Sequence, residues 1–314
     1  MPNLIKKIQN HIFENSLFER NSKIILGISG GPDSTCLLDV FSKLQKKYKL
    51  ELAIAHVNYH LRGKDSEKDE QFVEKLAEEY NLSLDILEAH IEKKDKSEEK
   101  LRDVRYAFFE EIRKENKFDL IAVAHNCDDQ AETVLMRLIR GTGLNGLSAM
   151  QAKNGKIIRP LLEIPRKEII TYLKANNLSY RIDKTNKQTI YLRNKIRNKL
   201  IPYLEKNYNP NLKQVLAKSA KTFGEDYAVI EELTEKFWEE NKTLSAKKIL
   251  ALPVAIQKRI LQKALAQKKP ASAHENFTQI EEILKALKST KNKNQVVKSA
   301  GLKMTRHGDK ITID

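Results

Sequence analysis

Three features of this sequence predict an α/β protein built on a parallel sheet and continued by a smaller, mainly helical, basic region. Short apolar runs suited to buried strands recur about every 30 residues through the first half, with amphipathic stretches between them, as successive βαβ units require. Charge is lopsided: residues 1–180 hold 29 Lys and Arg against 28 Asp and Glu, whereas residues 181–314 hold 28 against 14, so +14 of the net +15 lies in the second part. The chain then closes on alternating segments from Gln295 to Ile313, punctuated by Gly301 and Gly308, the pattern of a small β-hairpin.

Residues 1–21 predict an amphipathic helix, with Leu4, Ile5, Ile8, Ile12 and Phe13 at helical spacing. Ile24, Ile25, Leu26 and Ile28 form a nearly continuous apolar run, which suits a strand covered on both faces. A helix over 34–48 turns Leu37, Leu38, Val40, Phe41 and Leu44 inward, with Cys36 as a small buried hydrophobe. Strands are then expected over 50–58, 82–87 and 118–124, with helices over 66–80 and about 100–115 between them. A helix opens near Cys127, a glycine-rich stretch covers 141–147, a strand or strand end covers 157–162, and Pro165 begins a helix over 166–176.

Asp183, Thr185 and Asn186 make a polar loop before a helix over 191–200, which carries Arg193 and Arg197 on one face and Leu192, Ile196 and Leu200 on another. Pro202 and the Asn207-Tyr208-Asn209-Pro210 turn break the chain, which places a domain boundary between 209 and 210. Domain 1–209 is then the α/β part and 210–314 the basic part, with helices near 211–241, 246–266 and 274–288. The stretch 241–270 holds eight basic residues and no acid, which suits a polyanionic partner such as RNA.

Right-handed crossovers place the carboxyl ends of parallel strands on one rim, where ligands bind. Ser29-Gly30-Gly31-Pro32-Asp33-Ser34 lies there, between a strand and a helix. Such a turn aims backbone N–H groups and the positive end of a helix at one point, where an anion is welcome. Neither G-x-x-x-x-G-K-[ST] nor G-x-G-x-x-G is present at this turn. Asp129 and Glu132, at i and i+3, can face the same cleft, whereas Asp128 or Asp129 as an N-cap is the local structural explanation for the acids. Carboxylates beside phosphates make sense if they hold magnesium or an ammonium group. Arg137 and Arg140 flank the glycine-rich stretch.

No apolar run reaches the roughly 18 residues needed to span a membrane, and the N-terminus lacks a signal-peptide core. Two cysteines, Cys36 and Cys127, are too few for a disulfide framework or a thiolate metal site. A cytoplasmic protein is expected.

Ser29–Ser34 resembles the SGGxDS loop of the ATP pyrophosphatase (PP-loop) superfamily. With HVNYHLRG (56–63), RDVRYAFF (102–109), AHNCDDQAET (124–133), RGTGLNGL (140–147), IIRPLL (157–162) and YLRNKIRNKLIP (191–202) in order, the chain resembles the bacterial tRNA(Ile)-lysidine synthetases in their short form. His274-Glu275-Asn276 and the terminal hairpin resemble that family's smaller C-terminal domain. It departs mildly from the family pattern at Tyr59 and His60, where His and Gly are expected, and at Asn126, where a second His is usual.

The resemblance implies a PP-loop ATP pyrophosphatase domain of the adenine nucleotide α-hydrolase type and a ligase that consumes ATP. The ring carbonyl of the first anticodon cytidine of isoleucine tRNA, anticodon CAU, would be adenylated, and the ε-amine of free L-lysine would then displace AMP. ATP would be held by Ser29, Gly30, Gly31, Pro32, Asp33 and Ser34, with the adenine near Ala55 and His56. Asp33, Asp129 and Glu132 would be the catalytic carboxylates, with Asp33 available to magnesium. Lysine would meet Asp129, Glu132 and Arg105, and tRNA would meet Arg140, Arg193 and Arg197. His125 is a rim residue, and a homodimer is compatible with the family. Two other readings remain: a PP-loop tRNA thiolase, which would carry sulfur on cysteine, and an RNA-binding protein that only senses ATP.

Overall fold

The computed structural model describes residues 4–61, 63–89, 97–182, 192–241, 243–268, 277–289, 294–299 and 302–314. The polar loop at Asp183, Thr185 and Asn186 and the His274-Glu275-Asn276 motif lie outside the described residues. Two compact units, Met1–Phe223 and Gly224–Asp314, make up the chain. The turn expected to separate the domains precedes the helix Leu212–Glu240, and the two units divide within that helix.

The first unit runs α1 (Leu4–Glu14), β1 (Lys23–Gly27), α2 (Pro32–Tyr48), β2 (Glu51–Asn58), α3 (Lys64–Tyr80), β3 (Ser83–Glu88), α4 (Glu98–Glu115), β4 (Leu120–Ala122) and α5 (Cys127–Arg140). It continues through α6 (Leu144–Leu147), β5 (Lys153–Asn154), β6 (Ile157–Ile158), α7 (Arg166–Ala175), α8 (Leu192–Lys195), a π-helical turn over Ile196–Leu200, α9 (Ile201–Asn207) and the start of α10 (Leu212–Glu240). The first helix is shorter than its apolar spacing suggests, because Ser16 and Asn21 adopt positive φ and turn the chain. The expected strands over 118–124 and 157–162 shrink to three and two residues, since their outer ends are taken by turns leading into the rim.

A six-stranded sheet has the order β3-β2-β1-β4-β6-β5. Every neighbouring pair is parallel except β5 with β6, so a short antiparallel strand closes one edge. Because β1 is followed by β2 on one side and has β4 on the other, the order reverses between β1 and β4. Connections leave in opposite directions there, opening a crevice beyond the carboxyl ends of these two strands.

The period of two along β1 explains the layers. Ile24 and Leu26 enter one core with residues of α1, α2, α3 and α7, whereas Ile25 enters the opposite one with Phe109 and Ile112 of α4. All three strand residues are fully buried, each contributing roughly 1.5–3 kcal/mol over an exposed position. Gly27, the last residue of the strand, leaves room for α4: a Cβ there would sit 2.8 Å from Cε2 of Phe109.

The second unit holds the rest of α10, α11 (Ala246–Leu250), α12 (Val254–Lys268), α13 (Phe277–Leu287) and an antiparallel sheet β7 (Gln295–Ser299), β8 (Leu302–His307) and β9 (Lys310–Ile313). The single helix expected over 246–266 is two, because Pro253, which has no N–H to donate, ends the first and precedes the second. The hairpin gains a third strand, and Met304, Ile311 and Ile313 bury against Ile249, Ile260 and Leu284. Among the described residues no helix is long and apolar enough to cross a membrane.

Gly27→Ala should destabilise the fold by about 1–3 kcal/mol in urea unfolding, because the new methyl meets a buried ring. Adding Phe109→Leu should recover part of that loss, and a fully additive double mutant would contradict the close approach.

Candidate active site

Two short segments reach the crevice from the two strands that frame it. From β1 the chain runs through Ile28, Ser29 and Gly30 to Gly31, the N-cap of α2. Gly30 has φ +75°, and a Cβ there would lie 3.1 Å from the Phe72 ring, so both backbone and space favour glycine. Gly31 differs: a Cβ there would meet only Ser29 Oγ, at 3.5 Å. Ser34 braces the turn, its Oγ accepting the Ser29 N–H at 3.2 Å and donating to the Gly31 carbonyl at 3.0 Å. Pro32 at the first helical position has no N–H, so the next N–H groups of α2 are the free donors at this end.

From β4 the chain passes His125 to Asn126, the N-cap of α5. The cap is Asn126 rather than either aspartate: its Oδ1 accepts the N–H of Asp128 at 2.9 Å and of Asp129 at 3.1 Å, while Asp129 Oδ2 accepts the Asn126 N–H at 3.1 Å. This capping box fixes the Asp129 rotamer and leaves Oδ1 for another partner. Asp128 turns elsewhere, accepting the Arg166 N–H at 3.0 Å and pairing with Lys213 at 2.8 Å.

Asp129 and Glu132 do face one cleft, and two arginines fill the space between them. Arg193 places Nε 2.9 Å from Glu132 Oε2 and Nη2 2.9 Å from Asp129 Oδ1. Arg197 places Nε 2.5 Å from Glu132 Oε1, and its Nη2 reaches Asp129 Oδ1 at 3.0 Å and Glu132 Oε2 at 2.8 Å. The basic face expected to meet RNA thus turns inward onto the acid pair. Glu132 is only 2% exposed, and both its oxygens accept charged hydrogen bonds, an arrangement that offsets the cost of burying them. Burial pushes the Asp129 carboxyl up, but the charges of Arg193 and Arg197 and the hydrogen bond from the Asn126 N–H pull it below its ordinary range. Burial acts to lower the Arg193 guanidinium, yet Asp129 and Glu132 raise it on balance.

Asp33, on the first turn of α2, is the least settled carboxylate. Arg166 Nη1 donates to its Oδ2 at 2.5 Å, but its Oδ1 is buried with no hydrogen-bond partner among the described residues. Burial raises its pKa from 3.8 to about 6, with Arg166 pulling down and Asp129 pushing up. The Asn126 amide is near enough to favour the charged form, although neither group makes a hydrogen bond of normal geometry with the other.

His125 is neutral: burial lowers its pKa to about 3 against the pull of Asp129, and Arg159, Arg105 and Arg193 lower it further. His56 is buried, and its Nδ1 lies 2.8 Å from the Ile28 carbonyl, tying the end of β2 to the start of the loop. Ala55 is fully buried beside it. The charge of Arg105 reaches His125, and its guanidinium lies 5.7 Å from the Tyr106 ring centroid. Arg140 ends α5, about 12 Å along the axis from Glu132, and is not brought to the acid pair.

Sequence reasoning missed Arg166 and the capping role of Asn126. Arg166 had no local signal, since its partner Asp33 is 133 positions away. Asn126 had one, an N-cap residue with an acid three positions later.

Comparison with known proteins adds a family. The PP-loop domain family matches residues 2–204. A tRNA(Ile)-lysidine synthase of Clostridium perfringens is 39% identical over 97% of this chain and 67% of its own length. One of Caldanaerobacter subterraneus subsp. tengcongensis is 45% identical over 76% of this chain and 52% of its own length, and one of Geobacter sulfurreducens is 36% identical over 89% and 62%. The chain therefore spans between about half and two thirds of these relatives' length. Among solved structures, the U34-tRNA thiolase NcsA from Methanococcus maripaludis, with its [4Fe-4S] cluster, superposes with a TM-score of 0.56 at 23% identity, covering 69% of this chain and 78% of the thiolase. That likeness bears on the fold.

Asp33→Asn should stabilise the ligand-free protein at pH 7. The folded carboxyl holds its proton up to about pH 6, the unfolded one only to 3.8, so raising the pH between these values costs stability, at most about 3 kcal/mol in total. Asparagine escapes that loss. Urea unfolding at several pH values should show a gain that is full above pH 6 and closes below pH 4; a gap independent of pH would contradict it.

Proposed function

The chain belongs to the PP-loop domain family and, within it, to the tRNA(Ile)-lysidine synthases, and from that premise we propose that it ligates free lysine to the first anticodon cytidine of isoleucine tRNA at the expense of ATP. The observation that carries this reading is that the phosphate-type loop and the acid pair follow neighbouring strands, β1 and β4, with Asp33 within reach of the charges of Asp129 and Arg197. The chemistry has two steps. The ring carbonyl oxygen attacks the α-phosphorus of ATP and pyrophosphate leaves; the ε-amine of lysine then attacks the same ring carbon and AMP leaves.

Each part of the rim has a task. The free N–H groups at the start of α2 and the Ser29 hydroxyl hold the leaving phosphates, Ser34 braces the turn that presents them, and the open space at Gly31 lets them come close to the backbone. Adenine lies at the end of β2, near Ala55 and His56. Asp33 fits a magnesium ion, because its buried Oδ1 lacks a partner and magnesium at nucleotide sites takes one or two carboxylates beside phosphate oxygens. When bound, that ion neutralises charge on the leaving pyrophosphate.

Lysine's amine has an ordinary pKa near ~10.4 and arrives mostly as ammonium, so it needs anionic partners and must then lose a proton. Asp129 and Glu132 are those partners, with a guanidinium of Arg193 or Arg197 giving way to the ammonium. Arg105, whose charge reaches His125, takes the amino acid's carboxylate in this reading.

The cysteines speak against a sulfur-transfer reading. Cys36 and Cys127 are both buried, and burial pushes the Cys36 thiol far up and the Cys127 thiol up to about 12. Neither is an available nucleophile.

With isoleucine tRNA and lysine present, the protein should release AMP and pyrophosphate in equal amounts over many turnovers; turnover that continues without lysine would contradict the reading. Glu132→Gln should raise KM for lysine at least about tenfold while KM for ATP changes less than about twofold. Equal changes in both would remove the lysine site from this pair.

A further inference from the structure

The segment that carries the two arginines has a second face. Lys195 and Lys199 lie two positions beyond Arg193 and Arg197, on roughly the opposite side of the helical segment. They line an open groove of about 470 Å³ together with Ile139, Leu192, Leu200 and Tyr203.

This surface has an unusual chemistry for one left open. Ile139 and Tyr203 are 55% and 57% exposed, and Tyr208, with its ring centroid 6.1 Å from that of Tyr203, is 72% exposed. No acidic side chain among the described residues lines the groove. Among the described residues neither Lys195 nor Lys199 has an ion-pair partner.

An apolar floor, an exposed aromatic ring and uncompensated lysines are what an unstacked nucleotide needs. The ring and floor take the base, which has a π-face whatever its identity, and the ammonium groups take the phosphates. A second copy of this chain fits less well, because a two-fold interface sets a patch against itself and would oppose lysine to lysine.

We propose that this groove receives single-stranded nucleotides adjoining the reacting base, with a base against Tyr203 and the backbone phosphates on Lys195 and Lys199. The inference rests on the tRNA reading above. It also gives the segment 192–203 a double role: one face holds the acid pair that meets lysine, and the other holds the RNA that presents the base.

The test uses the full chain with Tyr203→Ala, Tyr203→Phe and the double variant Lys195→Ala/Lys199→Ala. For Tyr203→Ala and the lysine variant, KM for tRNA should rise about tenfold, with kcat at saturating tRNA and KM for ATP within about twofold of wild type. Tyr203→Phe should keep the wild-type KM, since it keeps the ring. The lysine variant should also lower the slope of log KM against log salt by about 1–2. Fluorescence anisotropy with an anticodon stem-loop RNA measures the groove without any turnover, so failure of the lysine reaction and failure of this inference remain distinct. Wild-type affinity of all variants for that RNA overturns the inference, as does a change only in oligomeric state on sedimentation.

Discussion

Placing Asp129 and Glu132 side by side under a protein surface is tolerable only with cations between them, and the pair Arg193 and Arg197 meets that need with five charged hydrogen bonds of 2.5–3.0 Å. Removing one member of such a buried set leaves the others uncompensated, typically at about 3–5 kcal/mol. The two helices involved, α5 and the segment from α8 into the π-helical turn, are therefore locked together by the groups proposed to meet substrate. A π-helical turn over Ile196–Leu200 carries Arg197, and such turns recur at functional sites.

Asp33 stands in contrast. It has one guanidinium on one oxygen and, among the described residues, no hydrogen bond on the other, and burial, which that guanidinium offsets only in part, raises its pKa to about 6. A cation arriving at the open oxygen would complete the balance and favour the charged form. The acid pair is thus charge-balanced without ligand, while the phosphate loop is not. Both face the crevice at the sheet's reversal point, where β1 and β4 separate.

What could be read in the sequence divides along the range of the interactions. The turn Ser29–Ser34 was legible because its causes are local: positive φ at Gly30, proline at the head of α2, and serine hydroxyls bonding within a few residues. The nearly continuous apolar run of Ile24, Ile25, Leu26 and Ile28 announced a strand with two covered faces. The reach of Arg193 and Arg197 was not legible, because periodicity shows which face a side chain takes and not what lies opposite, here 61–68 positions away. Arg166 on Asp33 was hidden for the same reason. Asn126 as cap was missed because three residues within four positions, Asn126, Asp128 and Asp129, all have suitable oxygens, and only the geometry selects among them. β5 and β6, two residues each, are too short for any period to show.

The most direct measurement is nucleoside mass spectrometry of isoleucine tRNA after incubation with this protein, ATP and isotopically labelled lysine. The account predicts that the first anticodon cytidine gains the mass of labelled lysine less water, and only when ATP is present. Release of AMP with an unlabelled or thiolated nucleoside at that position would contradict it.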